Sequence, residues 1–338
     1  MKALVTGGAG FIGSHLATYL ASRGDEVVIL DNFSSGKWEN LQGINATVIE
    51  GDITDLDAVM EAVKGTDVVF HHAALCSVAR SMEDPVSTHQ VNATGTLNVL
   101  EAARRSAVRR VMLASSSSIY GDAEESPKHE RMSPAPLSPY AVSKLVGEHY
   151  CQMYWKSFGL ETVALRYFNV FGPRQDPDSE YSAVIPKFVH AIMSGKQPHI
   201  YGDGSQSRDF TYVRNIVRAN VAAAESPAAA GRIMNIACGG RYSLLELLNR
   251  LEAILGVEAS PVFERRRVGD IEHSQACIDQ AEKVIGFAAT VDFEEGLRKT
   301  VDWFRDSMVP ARTLWKPDAG SDTGHPVFGI RSGVASQG

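Results

Sequence analysis

The stretch "KALVTGGAGFIGSHLATYLASRGDEVVILD", residues 2–31, decides the fold. Its first apolar run, Ala3 to Val5, breaks into glycines at Gly7 and Gly8. Ile12, Leu16 and Leu20 then recur at helical spacing, and Gly24 stops that periodicity. A second apolar run, "VVIL", ends in Asp31. Strand, turn, helix and strand in this order make half of a doubly wound sheet. The turn carries Gly7, Gly10 and Gly13, a spacing one residue wider than the commonest dinucleotide pattern. The physical demand is similar. A tight turn brings backbone N–H groups to a pyrophosphate, and the third glycine lets helix and sheet approach closely. Phe11 and Ile12 lie inside the same turn and are counted with it as cofactor-binding.

Asp31 selects among dinucleotides. Its carboxylate accepts from an adenosine-ribose diol, whereas the 2'-phosphate of NADP would meet like charge. No Arg follows directly, although Lys37 is near in sequence, so NAD is the expected cofactor. Asn32 stands beside Asp31 in that expectation. After "VIEG", Asp52 can accept from the adenine amino group or serve as a helix cap or turn residue, with Ile53 next to it. Ala73 and Ala74 in "HHAAL" allow the chain to pass close to the cofactor, although small residues at a strand end also serve packing.

The alternation continues through "ATVIEGD", an acidic helix at 54–64, "DVVFHHAA", a helix near 88–106 and "RVMLASSSS". A Pro-rich loop, a helix around 140–158 and "ETVALRYF" follow. The expected architecture is α/β: a Rossmann-type doubly wound parallel sheet with a smaller mixed α/β substrate-binding domain. Residues 1–172 are mainly the NAD-binding part. Residues 173–309 are mainly the substrate part, and "RIMNIACG", near 232–238, returns to the large sheet. In the second part "SAVIPKFVHAIMSG" and "YSLLELLNRLEAILG" read as helices, and "HIYGDGSQSRDFTYV" as a hairpin-like turn region. Segment 310–338 is polar, Gly-rich and weakly patterned, as in a surface-docked or disordered tail.

Bulk numbers bound the function. With 338 residues, 44% hydrophobic and 22% charged, the chain can bury a sizeable core. A net charge of -7 disfavours nonspecific attraction to nucleic acid or an anionic membrane. No apolar run reaches spanning length, and "MKALVTGG" enters a strand at once, which predicts no signal peptide. Cys76, Cys151, Cys238 and Cys277 show neither CxxC nor zinc spacing, so reduced thiols in a cytoplasmic protein are expected. His71 and His72 lack a nearby acidic ligand partner, and no metal is expected.

"SPYAVSKLVGE" puts Tyr140 and Lys144 on one helix face, where an ammonium can lie beside a phenol and the cofactor ribose. A free phenol titrates near pH 10, and nearby positive charge favours phenolate, making Tyr140 a candidate base. Such pairs also occur on plain helices; the nucleotide-binding half gives this one its weight. In "VMLASSSSIYG", hydroxyls Ser115 to Ser118 end a strand. One of them can relay a proton or hold a forming carbonyl; a solvated turn with a helix cap is the rival. No G-x-S-x-G elbow surrounds them.

Together "TGGAGFIG", "HHAALCSVARSMEDP", "SSSSIYG", "SPYAVSK", "RYFNVFGPRQDP", "SRDFTYV" and "RRVGDIEHSQA" resemble the extended short-chain dehydrogenase/reductase family, and within it the UDP-hexose 4-epimerases. The resemblance implies Ser116 as the catalytic hydroxyl, Tyr140 as base, and Lys144 as the ribose-holding cation. It puts Tyr167 at the nicotinamide and Asn169 and Arg208 at the substrate diphosphate. Arg267 falls to phosphate and Asp270 to the uridine ribose, with Ser77, Ser117 and Tyr201 also lining the substrate. It implies a hydride passed from C4 of a UDP-sugar to retained NAD and returned to the other face of a transient 4-keto sugar. A homodimer is expected as well, with Leu145, Tyr150 and Tyr154 on its helix or packed against their own sheet.

Related sugar 4,6-dehydratases carry an Asp-Glu pair where this chain has Ser117 and Ser118. A UDP-uronate epimerase or decarboxylase stays open, as does a nonenzymatic NAD-binding regulator. A bulky Tyr often occupies the place of Ser274, and a small residue leaves room for a 2-acetamido group. UDP-GlcNAc/UDP-GalNAc is therefore the favoured pair, with UDP-Glc/UDP-Gal second. Ala276 is followed by Cys277 where the related enzymes carry Ala-Asp.

Overall fold

A computed structural model describes residues 1–177, 183–266 and 272–308. β1 (Lys2–Thr6) leads through the glycine turn into α1 (Phe11–Ser22) and β2 (Glu26–Asp31), followed by β3 (Thr47–Glu50), α2 (Leu56–Ala62) and β4 (Val68–His71). Two short helices, α3 (Val78–Glu83) and α4 (Pro85–His89), run through a π-helical turn at Gln90–Thr94 into α5 (Gly95–Arg105). β5 (Arg110–Ser116), α6 (Pro139–Phe158), β6 (Glu161–Tyr167), β7 (Val170–Phe171) and α7 (Val184–Met193) come next. Then come β8 (His199–Tyr201), β9 (Ser207–Arg208), β10 (Thr211–Tyr212), α8 (Val213–Glu225) and β11 (Ile233–Ile236). β12 (Tyr242–Ser243), α9 (Leu244–Leu255), β13 (Val262–Glu264), α10 (Asp279–Ile285) and α11 (Phe293–Met308) close the described chain.

Seven parallel strands form the large sheet in the order β11-β6-β5-β4-β1-β2-β3. Ala3 to Thr6 and Val68 to His71 are buried throughout, the continuous apolar pattern of strands covered on both faces. α1 and α8 cover one face with Leu16, Leu20 and Ile216. α2, α5 and α6 cover the other with Val59, Leu100 and Tyr154. This is a Rossmann-type sheet. Its order reverses at β1, which has β2 on one side and β4 on the other, so the crevice opens at their C-terminal ends.

Local chemistry sets the element ends. Ser138 caps α6 by accepting from Ala141 N at 3.2 Å, Pro139 takes its first turn, and Gly159 ends it in the left-handed region at φ 71°. A reciprocal Ser243–Glu246 capping box starts α9. A separate apolar cluster, including Phe171, Phe188, Leu247, Phe293 and Leu297, holds the smaller α/β part.

The hairpin expected in "HIYGDGSQSRDFTYV" does not form. β8 pairs in parallel with β13 and β9 antiparallel with β12, so the turn at Gly202 and Gly204 separates two strands that choose distant partners. The helix expected near 88–106 begins at Pro85 and passes through a π-helical turn at Gln90–Thr94, where the Asn92 side chain accepts from Leu75 N. β11 returns to the large sheet beside β6, as the sequence suggests. Arg267, Asp270 and the 310–338 tail lie outside the described residues.

Candidate active site

The glycine turn is closed by contact. Gly7, at φ 69°, would place a Cβ 2.6 Å from Ala73 N, and Gly13 would place one 2.2 Å from Gly7 O. Gly10 starts α1 without any side-chain cap, which leaves the first amides of the helix to a ligand. Asp31, ending β2, accepts from Ala9 N at 2.8 Å and Phe33 N at 2.9 Å, one bond per oxygen. A carboxylate has lone pairs beyond those two, so the same group that braces the turn can also accept a ribose hydroxyl. Asp52 takes Asn32 Nδ2 at 2.7 Å and Thr54 N and Oγ1 at 2.8 Å. Burial opposes the charge of Asp52, but those donors bring its carboxyl below the ordinary value. Ile53 is buried and packs against Gly95. Across the crevice, Ala73 N donates to Thr6 Oγ1 at 3.3 Å, and Ala74 O accepts from the Cys76 thiol. The cradle, its free amides and the paired carboxylates fit a dinucleotide with an unphosphorylated ribose.

On the far lip, Tyr140 on α6 lies near enough to Ser116 at the end of β5 for that hydroxyl to favour its phenolate. Ser116 Oγ accepts from Ser118 N at 3.1 Å and Ser118 Oγ at 2.9 Å. Ser117 begins the turn between them. Burial pushes Tyr140 well above its ordinary value, the neighbouring Cys76 adds to this, and the Ser116 hydroxyl pulls back. Lys144 Nζ donates to Ala114 O at 2.9 Å and lies 5.9 Å from the Tyr140 ring centroid. Burial lowers its ammonium. Burial thus pushes the phenol up and the ammonium down, each toward its neutral form.

Asn92, Thr96 and Asn220 escaped the sequence reading, although each braces a residue near the site. Asn92 Oδ1 accepts from Leu75 N at 2.8 Å while Nδ2 donates to Leu75 O and Ser143 Oγ at 3.0 Å each, tying the loop after β4 to α6. His71 is held by Thr6 Oγ1 at 2.8 Å and Thr96 Oγ1 at 2.9 Å. Tyr167 gives its hydroxyl to Asn220 Oδ1 at 3.0 Å and lays its ring along His72. Only a buried polar residue inside an apolar pattern hinted at these bonds.

The second cluster gathers Asn169, Arg208 and Ser274. Asn169, in the left-handed region at φ 33°, donates from Nδ2 to Asp209 O at 3.3 Å and Ser274 Oγ at 3.4 Å. Ser274 is buried, and its N–H donates to Ser207 O at 3.1 Å. Arg208 Nη1 donates to Ser207 O at 2.9 Å and Glu272 O at 3.2 Å. Asp209 receives N–H groups from Cys238, Gly239 and Ala276 at 3.0–3.2 Å; burial nevertheless pushes it up to about 7. Tyr201 ends β8. Ser77 caps α3, accepting from Arg80 N at 3.0 Å. Among the described residues, no group of three or more His, Cys, Asp or Glu could hold a metal ion, and no helix is long and apolar enough to cross a membrane.

Residues 3–237 match the NAD dependent epimerase/dehydratase family. A UDP-glucose 4-epimerase of Mycolicibacterium smegmatis is 39% identical over 316 residues, covering 90% of this chain and 99% of its own. The solved UDP-N-acetylglucosamine 4-epimerase of Methanobrevibacter ruminantium, in complex with UDP-N-acetylmuramic acid, is 43% identical with a TM-score of 0.87, covering 91% of this chain and 99% of its own. A UDP-glucuronic acid 4-epimerase of Bacillus cereus, solved with UDP-glucuronic acid and NAD, is 34% identical with a TM-score of 0.85, covering 91% and 100%. This chain therefore belongs to the NAD-dependent epimerase/dehydratase family of extended short-chain dehydrogenases/reductases, and its cofactor is NAD.

Proposed function

We propose that the protein inverts C4 of UDP-hexoses, UDP-GlcNAc/UDP-GalNAc first and UDP-Glc/UDP-Gal second. The observation that carries this is Tyr140 and Lys144 one turn apart on α6, with Lys144 Nζ bonded at 2.9 Å to Ala114 O, two residues before Ser116 on β5. Bound NAD supplies the hydride acceptor and donor. Tyr140 takes the proton of the C4 hydroxyl, directly or through Ser116, and gives it back when the 4-keto carbon is reduced. Lys144 contributes positive charge beside the phenol and holds ribose. Asn169 and Arg208 grip the diphosphate, together with Arg267, while Asp270 takes the uridine ribose; Tyr201, Ser77 and Ser117 line the rest. This grip leaves the sugar itself free to turn.

Ser274 keeps the floor beside Asn169 small, which suits a 2-acetamido group. The similarity to the M. ruminantium enzyme supports the same choice. The similar coverage of the B. cereus enzyme favours a UDP-uronate as the second reading. Residues 1–172 mainly serve the cofactor and 173–309 the nucleotide sugar, in a cytoplasmic homodimer. A product-resolved NMR assay with the four UDP-hexoses and a UDP-uronate, without added NAD, tests the proposal. Interconversion of the acetylated pair is expected; turnover of the uronate alone would replace it, and NAD retained without turnover would indicate a regulator.

A further inference from the structure

Behind the reacting pair lies a buried ion pair that the chemistry above does not use. Glu148 stands on α6 one helical turn beyond Lys144, and Arg166 stands in β6. Arg166 donates from Nε to Glu148 Oε1 at 2.8 Å and from Nη2 to Oε2 at 2.7 Å. Ser115 Oγ donates to the same Oε1 at 2.6 Å. In the β5–β6 register Ser115 faces Arg166, and Ser116 is the next residue. Glu148, Arg166 and Ser115 are only 1%, 3% and 4% exposed. The guanidinium also sits 4.7 Å from the Tyr120 ring centroid, and Tyr120 in turn donates to Asn235 Oδ1 at 2.7 Å.

A buried ion pair is a poor source of net stability, because desolvation offsets its Coulomb gain. What it does supply here is geometry. One carboxylate ties the helix that carries Tyr140 and Lys144 to the last residues of the strand that carries Ser116. Ridge-and-groove packing alone leaves a helix some freedom to slide along a sheet, and the reacting groups tolerate little of it. We infer that Glu148 and Arg166 are positioning residues that set Tyr140 against Ser116 through Ser115.

This inference rests on the C4-inversion reading only for its kinetic test. Ser115→Ala removes one bond and leaves the ion pair whole. With the UDP-sugar that the unaltered protein turns over, its kcat should fall by a few-fold to the roughly 100-fold that a 1 Å misplacement costs, while KM stays within about twofold. The double variant Glu148→Gln with Arg166→Met removes both charges together, so neither is left buried and unpaired. It should melt near the unaltered protein and lose kcat at least as severely. A second readout needs no substrate: the Ser118 amide, bonded to Ser116 Oγ, should exchange faster with deuterium in Ser115→Ala while Leu4 is unchanged. Unchanged kcat and unchanged Ser118 exchange would overturn the inference, as would losses that merely follow a lowered Tm. If the unaltered protein turns over no UDP-sugar, the functional reading fails and the exchange measurement alone decides this one.

Discussion

In the proposed reaction Tyr140 faces opposed demands, because burial holds its proton while the step needs an oxygen that can take one. Ser116 supplies the standing support, and Ser118 hydrogen-bonds Ser116. Tyr140→Phe should therefore lower kcat by roughly 10²- to 10⁴-fold while the purified protein keeps its NAD, as turnover and cofactor content will show. His71 and His72 carry a different consequence. Burial, aided by the Lys144 charge, lowers both to about 3, against 6.5 in an unfolded chain. The folded state therefore holds them neutral, and below about pH 6.5 the unfolded chain binds the extra protons. Their stabilising share is complete above that pH and is lost as pH falls toward 3, by about 2 kcal/mol each between pH 6.5 and 5. Urea unfolding at the two pH values should show that loss, and His71→Asn should flatten the slope.

At the scale of elements, the first strand, glycine turn, helix and second strand are legible in residues 2–31 because their signals are local. Periodicity and glycine spacing need no distant partner. Gly13→Ala tests that reading, since its Cβ would press 2.2 Å from Gly7 O. NAD affinity should fall about 10- to 100-fold, measured by cofactor released on dilution, from a backbone shift costing about 1–3 kcal/mol. The partners of β8 and β9 were not legible, because a two-residue strand carries no register information and its neighbour lies far along the chain. The same reason hides Asn92 and Glu148. A polar residue in a helix shows its use only when the strand or loop it bonds has been placed. Ser77 adds a local role that its motif did not announce, the cap of α3.

For the molecule as a whole, the proposed reaction and the proposed homodimer both draw on α6. Its inner face carries Lys144 and Glu148, while Val142 and Met153 on the outer face are 44% and 37% exposed, with Leu145, Val146 and Tyr150 half-buried between them. Tyr154 instead packs inward and donates to Glu101. A stripe of that spacing suits a second copy of the helix. Sedimentation should give about twice the 36.6 kDa of one chain, and Met153→Glu should shift it to monomer. Apolar clusters on both faces of the large sheet and a further one in the smaller part flank the C-terminal strand ends, where the proposal puts cofactor and sugar. The most direct measurement of what happens there uses a UDP-hexose deuterated at carbon 4. Recovery of the inverted sugar with deuterium still on that carbon is the predicted result. Deuterium lost to solvent, or found at another carbon, would contradict a hydride taken and returned at one position.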